Sequence, residues 1–194
     1  MNDREGVLGD TQKIQAAITL RWTQEMTQAH LDLRHEQLRV GMPRGSERYP
    51  GVDDDPRTRF LLALDARTDA LVGCATMQAD EFPRDADGSR DADGSRAGMK
   101  VHPLRFPLLF RLRAMAVAAG HQNRGIGSTL VRELQRQATA DESGLWCNAR
   151  LRAVPMYERC GFRCVTEVYE LPGIGPHRDM VWGGERCYHP RTNT

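Results

Sequence analysis

The sequence is poor in aromatic residues, carries no excess of either charge and has no long apolar run. Phe, Trp and Tyr make up 6% of its 194 residues, and 27 Lys and Arg are balanced by 26 Asp and Glu. No segment approaches the ~18 uninterrupted apolar residues that a helix needs to cross a bilayer, so the pattern predicts no membrane span. The balanced charge also argues against a nucleic-acid partner, because proteins that bind nucleic acid usually carry a basic surface.

Cysteine is scarce as well, and its spacing does not indicate a disulfide framework. The first residues contain no apolar secretion signal, which predicts a cytoplasmic protein with reduced thiols. Cys160 and Cys164 lie one helical turn apart, but Gly161 between them is expected to end the helix. We therefore predict small buried side chains there and no metal site. The five cysteines are Cys74, Cys147, Cys160, Cys164 and Cys187.

Length and composition predict a single domain over residues 1–194, because a chain of this size is sufficient for one core. A perfect tandem repeat, DADGSR, occupies residues 85–90 and 91–96. This segment is too polar and too rich in glycine to offset the entropy lost on ordering its backbone. The sequence therefore predicts a flexible loop over residues 83–100.

The first half of the chain predicts a strand, a helix and a hairpin. The strand covers residues 14–20, and Thr23 is a candidate N-cap for the helix that follows. Residues 41–56 are rich in Gly, Pro, Arg and Asp and predict a surface loop. Two apolar runs, 60–64 and 71–77, predict an antiparallel hairpin. The apolar stripe expected on the helix consists of Met26, Ala29, Leu33, Gln37 and Val40.

The second half predicts alternating strands and helices. Residues 107–119 form a long apolar stretch that is expected to be a central strand, and a glycine-rich turn leads from it into a helix. That helix is strongly amphipathic, with Ile126, Leu130, Leu134 and Ala138 at intervals of four residues. The remaining predicted elements are a strand at 145–148, a helix at 153–159, and strands at 162–171 and 179–182, with a Pro-Gly-rich connection over 173–177 before the last strand.

The turn at residues 120–127, GHQNRGIG, has the properties of an anion-binding loop. The first N–H groups of a helix lack partners inside the helix and lie at the positive end of its dipole, so they suit a phosphate. Gly125 and Gly127 allow close approach to the backbone, Ser128 offers a hydroxyl and Arg124 a cation. The turn lacks the Lys-Ser or Lys-Thr of nucleoside triphosphate loops and the third glycine of dinucleotide loops.

The segment resembles the acetyl-coenzyme A signature of the GCN5-related N-acetyltransferases (GNAT): Gln or Arg, two residues, Gly, one residue, then Gly or Ala. Gln122, Gly125 and Gly127 fill this pattern. A second stretch, AVPMYERCGF, resembles the family's later helix, with Tyr157 followed by the pair Gly161 and Phe162. The resemblance covers roughly residues 60–182. It implies an α/β (α+β) fold with a mixed central sheet of six to seven strands and about four helices.

The resemblance also implies a site. In the family the central strand splays from its neighbour and binds the pantetheine arm, which places Met115 and Val117 against the cofactor, with a backbone N–H near Val117 at the carbonyl oxygen of the thioester. Tyr157 matches the family's general acid. Many members have an asparagine three residues before the position of Ala153, where this chain has Arg150, and Asn148 is the nearest candidate for that contact. The pyrophosphate loop would comprise Gln122, Asn123, Arg124, Gly125, Ile126, Gly127 and Ser128.

The general base is not evident from the sequence, because no acidic residue lies between Asp93 and Glu133. Proton removal through water to Asp80 or Glu81 is one alternative. His177, whose ring titrates in a useful range, is the other. A loop histidine in solvent is the simpler interpretation of His177, and we retain it as a catalytic candidate beside Tyr157.

The leading hypothesis is an enzyme that transfers the acetyl group of acetyl-CoA to a primary amine of a small molecule. The alternatives are a protein or peptide N-acetyltransferase and a non-catalytic acetyl-CoA-binding sensor. The missing strand glutamate favours the sensor, whereas Tyr157 argues against it, because a protein that only binds needs no positioned acid. The family's exposed strand edges often pair between subunits, so the resemblance also allows a homodimer.

Overall fold

The computed structural model describes residues 17–80 and 109–183, which form one mixed β-sheet with helices on both faces. The predicted loop at 83–100, its repeat, Glu81 and Cys187 lie outside these residues. None of the helices in the described ranges is long and apolar enough to cross a membrane. The strands are β1 (Ile18–Thr23), β2 (Arg59–Asp65), β3 (Leu71–Ala79), β4 (Leu109–Val117), β5 (Gly144–Arg150), β6 (Arg163–Cys164), β7 (Tyr169–Leu171) and β8 (Gly175–Trp182), and the helices are α1 (Gln28–Leu38), α2 (Ile126–Ala140) and α3 (Val154–Arg159).

The sheet confirms the predicted mixed α/β architecture. Its strand order is β1-β2-β3-β4-β5-β8-β6, with β7 also paired to β8. All neighbours are antiparallel except β4 and β5, which run parallel. The described part of the chain has eight strands and three α-helices, against six to seven strands and about four helices predicted.

The two faces of the sheet bury different helices. On one face Leu33 of α1 packs in a cluster with Leu62, Leu64, Cys74 and Ala116. The other face carries α2 and α3 over the larger core. The periodic stripe of α2 is confirmed, because its buried residues are Ile126, Leu130, Val131, Leu134 and Ala138. Leu130, Val131 and Leu134 are completely inaccessible to solvent.

The prediction for α1 was wrong in its start and in its buried face. Thr27 is the N-cap and accepts from the His30 N–H, whereas Thr23 ends β1 and accepts from the Glu25 N–H. Val40 lies beyond the helix and is 79% exposed. The inward face contains a histidine and an arginine, although polar residues of these types are usually exposed to solvent. Its buried residues are His30, Leu31, Leu33 and Arg34.

The C-terminal strands also differ from the prediction. The strand expected at 162–171 is two short strands, because after Cys164 the chain leaves the sheet and returns at Tyr169. The connection expected at 173–177 is instead a tight turn, in which the Ile174 N–H donates to the Leu171 carbonyl at 3.0 Å. Pro172 and Gly173, which has φ of 73°, fit the second and third positions of a type II turn. The last strand therefore begins at Gly175 and includes His177.

Candidate active site

A gap opens in the sheet between β4 and β5. The two strands pair only from Leu109 with Gly144 to Arg111 with Trp146, although β4 continues to Val117 and β5 to Arg150. Along this gap, the described residues offer β4 no partner strand on its β5 side. Unpaired backbone N–H and C=O groups on a strand edge readily accept an extended ligand. The gap is the splay that the resemblance implies.

A β-bulge in β4 accompanies the gap. Between the pairs Arg113 with Thr76 and Ala116 with Cys74, β4 has two residues, Ala114 and Met115, where β3 has one. Ala114 adopts φ of 46°, a left-handed conformation that is uncommon for a residue with a Cβ. A bulge of this kind bends the strand and increases its twist, which fits the divergence of β4 from β5.

Val117 directs its N–H into the gap. The next residue, Ala118, donates its N–H to the Val72 carbonyl of β3 at 2.9 Å. Because successive N–H groups of a strand point to opposite edges, the Val117 N–H points away from β3. An N–H donor in this position suits an oxygen on which negative charge develops.

The turn after β4 forms an open helix N-terminus. Gly125 is the N-cap of α2 with φ of 81°, and Asn123 has φ of 58°. The first backbone donation within the helix is from Thr129 to the Gly125 carbonyl at 3.0 Å, so the preceding N–H groups of the first turn face outward. In the described ranges, no atom outside its chain neighbours and its own helix backbone lies within 4 Å of where a Cβ on Gly127 would stand. This geometry accommodates a phosphate.

The side chains of the turn have different roles. Gln122 donates its amide to the Val117 carbonyl at 3.0 Å and to the Gln37 amide oxygen at 2.9 Å, so it holds the turn against β4 and α1. The Ile126 side chain is buried in the core, which leaves its backbone for a ligand. Arg124 is exposed and Ser128 half-buried at the mouth of the turn.

A cavity of about 360 Å³ lies between the end of α1, residues 46–49, β4, β5 and the β7–β8 hairpin. Met115, Tyr157 and His177 all line it. The residues of the α2 N-terminus do not. The structure thus brings the two predicted catalytic residues to one cavity beside the bulge of β4, and it places the predicted phosphate turn beyond that strand's end.

Tyr157 is held in an apolar setting. Only 5% of the residue is exposed, its ring packs edge-on to Phe162 at 5.3 Å, and its hydroxyl lies 3.9 Å from the Met115 sulfur. Burial raises the pKa of Tyr157 well above its usual value. The hydroxyl is therefore protonated at neutral pH and available as a donor.

His177 is buried, so its interpretation as a loop histidine in solvent was wrong. It lies on β8, pairs with Arg150 of β5 and is 4% exposed. Its Nδ1 lies 2.7 Å from the Gly175 carbonyl, which only accepts, so Nδ1 carries the proton and Nε2 has a free lone pair. Burial lowers the pKa of His177, which keeps the ring neutral near pH 7.

Asn148 belongs to a buried polar network that the sequence did not reveal. Its amide nitrogen donates to Asp179 at 2.6 Å and to the Tyr169 hydroxyl at 3.0 Å, and its amide oxygen accepts from Arg111. Asp179 is only 3% exposed. The Asn148 side chain is used in these three hydrogen bonds, and its contact with a cofactor stays a prediction. Only the strand register, which sequence reasoning did not supply, places these residues side by side.

The alternative base Asp80 lies outside the cavity. Its carboxylate pairs with Arg111 at 3.3 Å, and its backbone carbonyl accepts from the Trp146 indole. The Arg111 guanidinium therefore occupies this carboxylate, which does not face the cavity. Among the described candidates, His177 is therefore better placed for proton removal.

Sequence comparison identifies the family. The family model for the acetyltransferase (GNAT) domain matches residues 56–164, more than half of the chain. Two proteins of Bacillus subtilis, both named uncharacterized N-acetyltransferases, are also similar. YitI is 35% identical over 69 residues, or 35% of this chain and 46% of YitI. YjcF is 31% identical over 72 residues, or 37% of this chain and 51% of YjcF. The chain thus spans about half the length of these curated relatives.

Solved structures show the same fold. Escherichia coli ElaA has a TM-score of 0.59 at 19% identity, covering 85% of this chain and 100% of that one. Arabidopsis thaliana NAA60, solved in complex with acetyl-CoA, has a TM-score of 0.56 at 18% identity, covering 85% and 97%. These structural similarities establish the fold, and the match to the family model establishes family membership. The chain belongs to the GNAT family of acetyltransferases.

Proposed function

We propose that this protein transfers the acetyl group of acetyl-CoA to a primary amine of a small molecule, by direct attack in a ternary complex. The observation that carries the proposal is the arrangement along β4. The strand presents an unpaired edge, ends in an anion-binding turn and borders a cavity that holds both Tyr157 and His177. Cofactor, acceptor and proton-transfer groups then meet at Met115 and Val117.

The residues present fit the cofactor. The outward N–H groups of Ile126, Gly127 and Ser128 suit a pyrophosphate, and the open space at Gly127 lets it approach. Arg124 adds a cation, and the free edge of β4 suits the amide groups of a pantetheine arm. When bound, acetyl-CoA supplies an activated acetyl thioester. Similar use of the fold is seen in NAA60, whose structure contains acetyl-CoA.

The amine nitrogen forms a bond to the acetyl carbon as the carbon–sulfur bond breaks, and the products are an amide and a thiol. His177 accepts the proton that the nitrogen releases, through its unprotonated Nε2. The nitrogen becomes far more acidic as its bond to carbon forms, so a base with a lowered pKa is sufficient at that stage. The Val117 N–H stabilises negative charge on the carbonyl oxygen.

Tyr157 protonates the leaving sulfur. A phenol with a raised pKa gives up its proton only to a strong base, and a thiolate shielded from water beside the Met115 side chain is one. The proton is then regained from solvent through the cavity mouth. Among the residues that the structure describes, the hydroxyl contacts only the weak acceptor Met115, so it contributes little to the fold.

The size of the cavity favours a small acceptor. A volume of about 360 Å³ lies near the low end of small-molecule sites, which run from roughly 300 to 1,000 Å³. Residues 46–49 wall it off on the α1 side, which leaves less room for a peptide. We therefore prefer a small amine over a protein N-terminus or lysine.

The proposal is tested by calorimetric binding of acetyl-CoA, followed by thiol release over a panel of amines. We expect Tyr157→Phe to bind acetyl-CoA as the wild type does and to lose roughly 100-fold or more in kcat. Binding without release of thiol on any amine would favour the sensor. Turnover on peptides alone would make this a protein N-acetyltransferase, and absence of binding would refute the assignment.

A further inference from the structure

The cavity beside β4 has many arginines in its lining. Among the described residues that line it, six are arginines and none is Asp or Glu. The chain as a whole carries almost equal numbers of acidic and basic residues, so this imbalance is local. The six are Arg39, Arg48, Arg111, Arg113, Arg150 and Arg152.

Four of these arginines have no carboxylate partner within the described ranges. The Arg39 guanidinium donates to the Ser46 carbonyl at 2.9 Å and to the Tyr49 hydroxyl at 2.8 Å. Arg150 donates to the Leu38 carbonyl at 2.6 Å. Arg48 and Arg152 are exposed at the cavity and make no ion pair with residues in those ranges.

Arginines outside the cavity lining are compensated differently. Arg34, completely buried behind the wall, pairs with Asp53 at 2.8 Å. Arg59, on the other side of the sheet, pairs with Asp141 at 2.7 Å. The chain therefore does supply carboxylates to arginines where the role is structural. To Arg39 and Arg150 of the cavity, the described residues supply neutral acceptors instead, which orient the two guanidinium groups and leave their charge uncompensated.

The positive charges also act on one another. Burial, and then the charges of Arg152 and Arg39, lower the pKa of Arg150. A cluster of like charges at the mouth of a partly enclosed cavity is unfavourable until an anion enters it. Arginine in particular recognises carboxylate and phosphate groups, because its planar fork donates two parallel hydrogen bonds.

The position of the cluster separates it from the phosphates of the cofactor. The pyrophosphate turn at Gly125 and Gly127 does not line this cavity, whereas Met115 and Tyr157, at the reacting end, do. The four arginines without a carboxylate partner come from the end of α1, residues 46–49, β5 and the turn after it. They thus surround the place where an acceptor amine would enter.

We propose that the acceptor is an amine that also carries an anionic group, a carboxylate or a phosphate, and that Arg39, Arg48, Arg150 and Arg152 bind this group. The inference rests on the proposed acetyltransferase function and names its substrate class. Arg39 and Arg150, fixed by carbonyl groups, orient the anion, and Arg48 and Arg152 close over it from the exposed side. The amine is thereby directed toward His177 and the acetyl group.

The test compares amines of similar size and different charge in the thiol-release assay. β-Alanine carries a carboxylate, phosphoethanolamine a phosphate, ethanolamine is uncharged apart from its amine, and putrescine has a second cation. We expect kcat/KM for at least one anionic acceptor to exceed that for ethanolamine by roughly tenfold or more, with putrescine the poorest. Comparison of the first two identifies which anion is recognised.

Two arginine variants test whether these side chains cause the preference for anionic acceptors. Arg48→Gln and Arg152→Gln change exposed side chains, so both should fold. Each is expected to raise the KM for the anionic acceptor about tenfold and to change ethanolamine turnover and the KM for acetyl-CoA much less. The matched control is Arg67→Gln, an exposed arginine in the β2–β3 turn that loses the same charge far from the cavity.

The outcomes separate the two proposals. Preference for ethanolamine or putrescine would overturn the inference and leave the acetyltransferase function standing. A rise in the KM for acetyl-CoA alone would also overturn it, since the arginines would then hold the cofactor's phosphates. Failure of acetyl-CoA to bind, or of every amine to release thiol, would refute the proposed function and the inference with it.

Discussion

The two ends of the proposed site are built in opposite ways. The cofactor end comes from one continuous stretch, in which β4 runs into the turn and α2, and its anion-binding groups are backbone N–H donors. The acceptor end is assembled from segments that are far apart in the chain, and its binding groups are side chains. A site made by local backbone geometry leaves a readable motif, whereas a site made by tertiary packing does not.

At the acceptor end, residues 46–49 form one wall of the cavity, and this wall depends on a buried ion pair. The described residues of the cofactor end contain no such pair. Arg34 of α1 donates to Asp53 at 2.8 Å and to the Thr76 hydroxyl at 2.6 Å, and the Asp53 carboxylate accepts from the Tyr49 N–H. These bonds hold the segment with Arg48 and Tyr49 against the sheet. The comparison therefore predicts that a substitution at one end impairs binding there and leaves binding at the other end largely intact.

The largest expected effect is at that pair. Asp53→Asn leaves the Arg34 charge buried without its partner and is expected to cost about 3–5 kcal/mol in the free energy of unfolding. Urea denaturation measures this cost. In protein that remains folded, the KM for the acceptor should rise more than the Kd for acetyl-CoA. The double variant Arg34→Met with Asp53→Leu removes both charges and should recover most of the stability, and a single-variant cost below 1 kcal/mol would contradict the structural role.

At the cofactor end, Gly127→Glu should abolish binding without harming the fold. A side chain fits at this position, and a negative charge near a helix N-terminus is favourable to the helix. The carboxylate would occupy the phosphate site, so we expect acetyl-CoA affinity to fall ~1,000-fold, about 4 kcal/mol, with the melting temperature unchanged or slightly raised. Calorimetry and thermal melts measure the two effects.

Thr139→Glu is the matched control, because it adds one negative charge on the exposed surface near the other end of the same helix. It should bind acetyl-CoA normally. Equal loss of affinity in both variants would point to a general effect of charge on α2, and normal binding by Gly127→Glu would mean that the turn does not hold the phosphates.

The next effect concerns the base. In the wild type, kcat/KM expressed per unprotonated amine should rise with pH through the lowered pKa of His177 and then level off, because only the neutral ring accepts a proton. His177→Gln should lower kcat roughly 100-fold at neutral pH and remove this acidic limb. A variant that keeps the limb would show that another group titrates, while unchanged acetyl-CoA affinity would confine the defect to the acceptor end.

The smallest expected effect is a loss of folding stability at acidic pH, which arises from His30. His30 of α1 is fully buried, neither ring nitrogen has a hydrogen-bond partner among the described residues, and burial lowers its pKa from 6.5 to about 3. Between these values the unfolded chain binds a proton that the folded chain does not, so stability falls as pH falls, by about 1.4 kcal/mol per unit. From pH 6.5 to 5, this amounts to about 2 kcal/mol.

His30→Leu, which is similar in volume and needs no partner, should remove this term and be neutral or stabilising at pH 7. Urea denaturation at several pH values measures it. His121→Gln, a change at a half-buried histidine in the turn after β4, should retain the full acid sensitivity. Equal slopes for wild type and His30→Leu would show that other groups account for the loss.

Much of the fold was predictable because its elements have strong local signals. The stripe of α2, the apolar run of β4 and the hairpin of β2 and β3 were all identified, since a single periodicity sets each of them. The helix α1 was misplaced because its inward face carries His30 and Arg34, whose burial depends on Phe60 and Asp53 elsewhere in the chain. The β7–β8 hairpin had a readable signal, Pro172 and Gly173, that was interpreted as a longer loop.

The sequence by itself determined the turn that is proposed to hold phosphates, because Gly125 adopts its left-handed N-cap and Gly127 leaves space for a ligand, both within one short segment. It also determined the family, through two motifs in a fixed order. Only the tertiary structure decided that His177 is buried with its Nε2 unprotonated, and that six arginines line the cavity proposed to bind the acceptor. Strand register and helix packing bring those side chains together, and no periodicity along the chain encodes which distant residues will share a wall.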